Sequence, residues 1–233
     1  MNVDILVYDG FDELDGIGPY EVFDYAQEYA AESETRDEGA AGERPDRVRY
    51  VTLADRETVT ASHGTRVGVD GVLAEPDSDR AADGDPGAAV PDLLVVPGGG
   101  WNARDETASA WAEAKKGDVP RALGAHHAAG TRIASVCTGS MLLAEAGVTD
   151  GRRAVTHAGA VDELRESGAE IVDARVVDDG DLLTAGGVTS GIDLALYIVE
   201  REFGEAIAER VATTIEYDRR YEVAGREGED RRG

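Results

Sequence analysis

The chain has 233 residues, 42% of them hydrophobic and 30% charged, enough to bury one large core rather than two small ones. Its formal net charge is -25, and Lys115 and Lys116 are its only lysines. Phosphate backbones and anionic membranes would repel such a surface, which argues against nucleic-acid and membrane partners. The lone cysteine, Cys137, cannot form an internal disulfide and suits a reducing compartment. With no basic leader before the first apolar run, and no apolar stretch near the roughly 18 residues of a membrane span, a cytoplasmic protein is expected.

In chain order, Val3 to Tyr8 reads as a buried first strand closed by Asp9-Gly10. A loop from Glu13 leads to Pro19, suited to a first helical turn, and to a helix reaching about Ala30 with Tyr20, Val22, Phe23, Ala26 and Tyr29 at helical spacing. Ala31 to Asp46 lacks periodicity and reads as an acidic insertion before a strand from Val48 to Leu53. Thr58 to Val69 alternates around His63-Gly64 like a hairpin. A second acidic stretch, Glu75 to Ala89, precedes the apolar strand Leu93 to Val96.

Ala108 to Ala129 holds one or two helices interrupted at Gly117 and Pro120. Then come a strand from Thr131 to Val136, a helix from Gly139 to Ala146, and a helix near Ala158 to Ser167. Strands at Ile171 to Val177 and Leu182 to Ala185 precede two amphipathic stretches, Gly191 to Phe203 and Glu205 to Ile215. Alternating strands and helices predict an α/β fold, a flavodoxin-like three-layer sandwich whose mostly parallel sheet carries helices on both faces. One domain over residues 1–217 is expected, with 218–233 a charged, frayed tail.

Ligands of open α/β sheets bind at the carboxyl ends of the strands, so the segments leaving those ends are the candidate site. Cys137 falls between a strand and a helix with Gly139 two residues on, the pattern of a nucleophile elbow. There it would meet free N–H groups at a helix start, which favour the reactive thiolate. The competing reading of a lone cysteine is a small buried hydrophobe. Pro97-Gly98-Gly99-Gly100 lets backbone N–H groups approach a ligand, and the amides of Gly99 and Thr138 are candidate oxyanion donors. Trp101 either walls the pocket or packs in the core. His63, His126 and His127 lack partners at metal-ligand spacing and read as surface residues, so no metal site is expected. Asp12, Glu13, Asp77, Asp79, Asp83 and Asp85 read as solvated loop charge.

The ordered segments ELDGIGPYEVF, LLVVPGGG, ASVCTGSMLLAEAG, GRRAVTHAGA and LLTAGGVTSGIDLALYIVE resemble the ThiJ/PfpI superfamily of class I glutamine amidotransferase-like proteins, from about Val3 to Tyr217. Within it they are most similar to the branch containing isocyanide hydratase and the amidase-like sensor halves of transcription regulators. The resemblance implies a nucleophilic Cys137, with Asp15 as the acidic residue that hydrogen-bonds the sulfur. It also implies oxyanion donors at Gly99 and Thr138, and His157 as a neighbour that is catalytic or structural, with Gly98, Gly100 and Trp101 around the pocket. Thr138 follows the cysteine where protease-like and glyoxalase-like branches carry histidine, which disfavours peptide hydrolysis. Ala158 stands where the hydratase branch has an aromatic residue.

These features imply a cofactor-free hydratase converting small electrophilic isocyanides to N-substituted formamides. The alternatives are a redox-sensing or glyoxalase-like carbonyl-stress protein, and a non-catalytic ligand-sensing module. A homodimer is expected, with Ile17, Tyr20 and Phe23 either at its interface or in the core. Dispersed acidity with almost no lysine is similar to proteins of salt-loving organisms, whose molar salt screens charge to about 3 Å.

Overall fold

A computed structural model describes residues 1–34, 47–76, 89–219 and 223–225. Most of both acidic stretches, with Asp77, Asp79, Asp83 and Asp85, and most of the expected tail lie outside the described residues. The main sheet is built on β1 (Asn2–Leu6), β2 (Arg47–Thr52), β6 (Leu93–Val96), β7 (Arg132–Val136) and β11 (Leu182–Ala185). Shorter edge elements are β5 (Gly71–Val72), β10 (Val176–Asp178) and β12 (Val223–Ala224). The eight strands run in the order β12-β10-β11-β7-β6-β1-β2-β5, and among them only β10 with β11 is antiparallel.

Successive strand residues point to opposite faces, so a strand buried at every residue is covered on both. All of β6 and β11 is buried, as is β1 from Val3 and β7 from Ile133. One group of packed helices is α1 (Glu13–Glu34), α6 (Ser190–Phe203) and α7 (Glu205–Thr214). The other is α2 (Ala110–Lys116), α3 (Asp118–Ala128) and α4 (Gly139–Glu145). This is the expected flavodoxin-like α/β sandwich. A buried ion pair joins its first two strands, with the Arg49 guanidinium donating to both Asp4 carboxylate oxygens at 3.0 and 2.8 Å.

Several boundaries differ from expectation. α1 starts at Glu13, and Pro19 lies inside it. Asp12 Oδ1 caps the helix by accepting from the Leu14 N–H at 3.2 Å. Gly16 and Gly18, which read locally as loop, let α1 pack closely. A Cβ on Gly16 would sit 2.8 Å from the Phe11 ring, and one on Gly18 would sit 3.3 Å from Ile192. Gly117 in the left-handed region separates α2 from α3, whereas Pro120 is absorbed in the first turn of α3.

The segment expected as one strand from Ile171 to Val177 is two. β9 (Glu170–Ile171) pairs with β8 (Arg153–Ala154) in a separate ribbon, while β10 joins the main sheet. The helix expected near Ala158 opens as a 3-10 turn, Ala158–Ala160, before α5 (Val161–Glu166). The hairpin forms as β3 (Thr58–Thr60) and β4 (Arg66–Gly68). Inside the expected tail, Val223–Ala224 pairs in parallel with β10. Phe23 is a core residue at 1% exposure, and Tyr20 stacks on Tyr50 at 4.5 Å between ring centroids. No helix among the described residues is long and apolar enough to cross a membrane.

Candidate active site

Cys137 leaves β7 with φ +56° and hands the chain to α4 after Thr138. Such a backbone costs a residue with a side chain about 1–3 kcal/mol and persists where neighbours enforce it. Its N–H donates to Ala185 O at 3.1 Å, and its carbonyl accepts from the Thr156 hydroxyl at 2.9 Å. Gly139 completes the turn because a Cβ there would lie 2.0 Å from Val96 O. Cys137 retains 6% exposure and Asp15 none, so the elbow is nearly closed and the carboxyl is sealed. A groove of about 740 Å³ lies at the opposite end of the sheet, lined by Met1, Asp92, Thr131 and Arg132 among others.

α1 presents Asp15 to this turn. Asp15 Oδ2 accepts from the Gly98 N–H at 3.0 Å, while buried Oδ1 has no partner meeting hydrogen-bond geometry. The Cys137 thiol nevertheless acts on the Asp15 carboxyl as a donor that lowers it, which sets the two groups side by side. Burial and the Asp12 charge push Asp15 well above the usual carboxylate range, against the pull of the Gly98 amide and the thiol. Burial and the Asp15 carboxylate likewise push the Cys137 thiol up, opposed by the N–H and hydroxyl of Thr138.

An independently ionised thiolate, as the helix start alone suggested, is therefore not what this environment favours. α4 is only seven residues long, and an acid lies against the sulfur. Each charge opposes the formation of the other, so the two protons leave in separate steps that belong to the pair.

The remaining predicted site residues converge with unequal roles. The Gly99 N–H donates to Thr138 Oγ1 at 3.0 Å, so it is occupied by the hydroxyl and does not face open space. Gly98 cannot carry a side chain, since its Cβ would lie 2.4 Å from Thr138 N. Gly100, at φ +67°, turns the chain past Ser109. Trp101 is 2% exposed and its indole N–H donates to Glu163 at 3.1 Å, so it packs. Its ring meets Trp111 edge-on at 5.0 Å, and Arg104 covers Trp111 at 3.9 Å. His157 is half-buried, and its Nδ1 accepts from the Gly159 N–H at 3.1 Å, capping the 3-10 turn.

Other readings need revision. Glu13 is a clamp and not free loop charge, accepting from the N–H groups of His63 and Thr65 at 2.9 and 3.3 Å. His126 is buried rather than on the surface, its Nδ1 3.2 Å from the Thr131 hydroxyl. Tyr8 reads in the sequence as one more apolar residue of a strand, with nothing to mark it for the site. Thr156 stands there only as the residue that leads into His157. Among the described residues, no group of three or more acidic, histidine or cysteine side chains could hold a metal ion.

Fold and site together define a flavodoxin-like α/β protein with a cysteine on a strained strand-to-helix turn beside a buried carboxyl. The chain belongs to the DJ-1/PfpI family, whose model matches residues 1–201. It is similar to the isonitrile hydratase of Pseudomonas putida, 46% identical over 85 residues, a match covering 36% of this chain and 37% of the hydratase. A deglycase of Pyrococcus horikoshii is 30% identical over 66% of this chain and 79% of its own length. An HTH-type transcriptional regulator of Pseudomonas aeruginosa is 33% identical over 70% of this chain and 43% of the regulator. Among solved structures, a ThiJ/PfpI family protein from Pseudomonas syringae superposes with a TM-score of 0.69 at 24% identity, covering 94% of this chain and 76% of that one. Drosophila melanogaster DJ-1beta gives a TM-score of 0.69 at 22% identity, covering 94% of this chain and all of that one.

Proposed function

We propose that this chain is a cysteine-dependent hydratase that converts organic isocyanides to N-substituted formamides. The observation that carries the reading is the Cys137–Asp15 pair, a thiol and a buried carboxyl that each oppose the other's ionisation, and we assign the reaction to its singly protonated form. The local identity to isonitrile hydratase supports the substrate class.

In the proposed sequence the pair reacts as thiolate and carboxylic acid. Asp15 delivers its proton to the terminal isocyanide carbon while Sγ bonds to that carbon, giving a thioimidate, S–CH=N–R. Water adds to the same carbon, and the C–S bond breaks as the nitrogen is protonated. The formamide leaves and the pair recovers its proton, so one water is consumed and nothing is oxidised or reduced. Thr138 assists by directing its N–H and hydroxyl at the sulfur. These steps need only thiol, carboxyl and water.

Deglycase relatives favour a second reading, attack of Cys137 on 2-oxoaldehydes. Thr138, where a histidine base would stand, weighs against it. Purified protein in molar salt, given an isocyanide and methylglyoxal side by side, separates the two. Cys137→Ala is expected to lower isocyanide hydration at least about a thousandfold. Full hydration by that variant, or turnover of methylglyoxal alone, ends the hydratase reading. We also propose that the working form is a cytoplasmic homodimer.

A further inference from the structure

Tyr8 is a buried phenol directly after β1, and the hydration chemistry assigns it no task. Its O–H donates to the Pro97 carbonyl at 2.7 Å. That carbonyl and the Gly98 N–H belong to the same peptide group, and the N–H donates to Asp15 Oδ2 at 3.0 Å. No cis peptide occurs among the described residues, so the C=O and N–H lie on opposite edges of the peptide plane. Tyr8 and Asp15 therefore grip one rigid dipole from its two sides. A donor on a peptide oxygen makes the nitrogen at the other edge a stronger donor, and low local dielectric magnifies the effect.

We propose that Tyr8 is a positioning residue that governs where the proton of the Asp15–Cys137 pair resides, acting through the peptide group joining Pro97 to Gly98. With Tyr8 in place, the strengthened Gly98 N–H stabilises the ionised Asp15 carboxylate. Without it, Asp15 holds the proton more tightly and more of the singly protonated pair is thiolate. The proposal rests on the Cys137–Asp15 reading of the site and adds the device that sets its balance.

Other groups face the pair from the surrounding elements. Asp12, from the cap of α1, raises both Asp15 and Cys137. The Thr138 N–H and hydroxyl oppose it at the sulfur. Glu113 of α2 acts on Tyr8, and burial together with the Asp15, Glu113, Cys137 and Asp12 charges keeps the phenol protonated, hence a donor. None of these acts through the Pro97–Gly98 peptide, which gives the Tyr8 route its own signature.

The chain has a single cysteine, so alkylation by iodoacetamide reports on Cys137 without ambiguity. We would follow that rate against pH in the full chain in molar salt, for the parent protein, Tyr8→Phe, Asp15→Asn and the double variant. Tyr8→Phe is expected to raise the neutral plateau about threefold and move its acid-side break up by about half a pH unit, the same effect on two axes. In the Asp15→Asn background Tyr8→Phe should change neither. An unmoved profile, or the same change without Asp15, overturns the proposal.

If Tyr8→Phe fails to fold, 3,5-difluorotyrosine at position 8 alone keeps the ring and strengthens the donor. It should shift plateau and break the opposite way, and a null or same-sign shift is equally fatal. Alkylation involves no isocyanide, so loss of the hydratase reading leaves this test standing, and failure here leaves hydration untouched.

Discussion

Glu13 and Asp15 stand two residues apart at the start of α1, carry the same functional group, and are driven in opposite directions. Glu13 faces the β3–β4 hairpin. Burial opposes its ionisation, but N–H groups of its own residue, Thr65 and His63, with the Ser62 hydroxyl, outweigh it and hold the carboxyl below its usual range. Asp15 faces inward, where burial and the Asp12 charge outweigh the single Gly98 amide and the thiol. The number of donors reaching the carboxylate separates a structural clamp from a proton store. Helix position contributes little to the difference, since both acids share the first turn.

The strongest way to break the contrast is Asp15→Asn. Isocyanide hydration is expected to fall roughly a hundredfold to ten-thousandfold, the usual span for losing a positioned acid. The same change should stabilise the fold. A carboxyl whose folded value is raised contributes most below its ordinary value of 3.8, and that contribution is lost as pH rises through the raised folded value. At neutral pH Asp15 is thus a cost that asparagine removes. Thermal unfolding should move up by about 2–4 °C, equivalent to about 1 kcal/mol at this chain length. A lower midpoint at neutral pH would mean that Asp15 is held as a stable structural carboxylate.

Gly98→Ala attacks the same site from the loop side. Its Cβ would fall 2.4 Å from Thr138 N and 2.5 Å from Thr138 Oγ1, so the loop must move away from the elbow. A loss of about 1–3 kcal/mol in chemical denaturation is expected, with a marked fall in hydration rate. An alanine variant of unchanged stability and rate would show that the close approach is dispensable.

Glu13→Gln sharpens the comparison with the smallest effect. A depressed carboxyl contributes stability above its ordinary value of 4.5 and loses it as pH falls through the depressed folded value. Protection of the His63 and Thr65 amides, taken relative to their intrinsic exchange rates at each pH, should therefore fall on acidification in the parent protein. In the variant that protection should already be about threefold lower at neutral pH and should not change with acid. Equal protection in both proteins would remove Glu13 as the clamp.

Much of the fold was legible because it rests on local pattern. β6, apolar throughout, and β11, interrupted only by Thr184, fall on the residues that hydropathy marks, since strands buried on both faces need no alternation. The elbow was legible for a similar reason, a cysteine pinned between a strand and Gly139. Misreadings cluster where tertiary contact overrides local preference. Gly16, Gly18 and Pro19 argue against helix, yet α1 runs through them because Phe11 and Ile192 pack where side chains would stand. The two-residue strands β5 and β12 are too short for any period to register, and exist because a neighbouring edge accepts their backbone.

From residue types and their order alone follow the layered α/β architecture, the strained turn at Cys137, the glycines beside it and the acidic surface. Each depends on covalent geometry, hydrophobic period or charge count, which any stretch of chain carries with it. Tertiary structure alone decided the ownership of the site's proton: that Asp15 lies sealed against the sulfur, that the Gly99 amide is spent on Thr138, and that Tyr8 and Asp15 share one peptide. Proton affinity is set by the desolvation and donors that distant segments bring together on folding, and neither quantity exists until those segments meet.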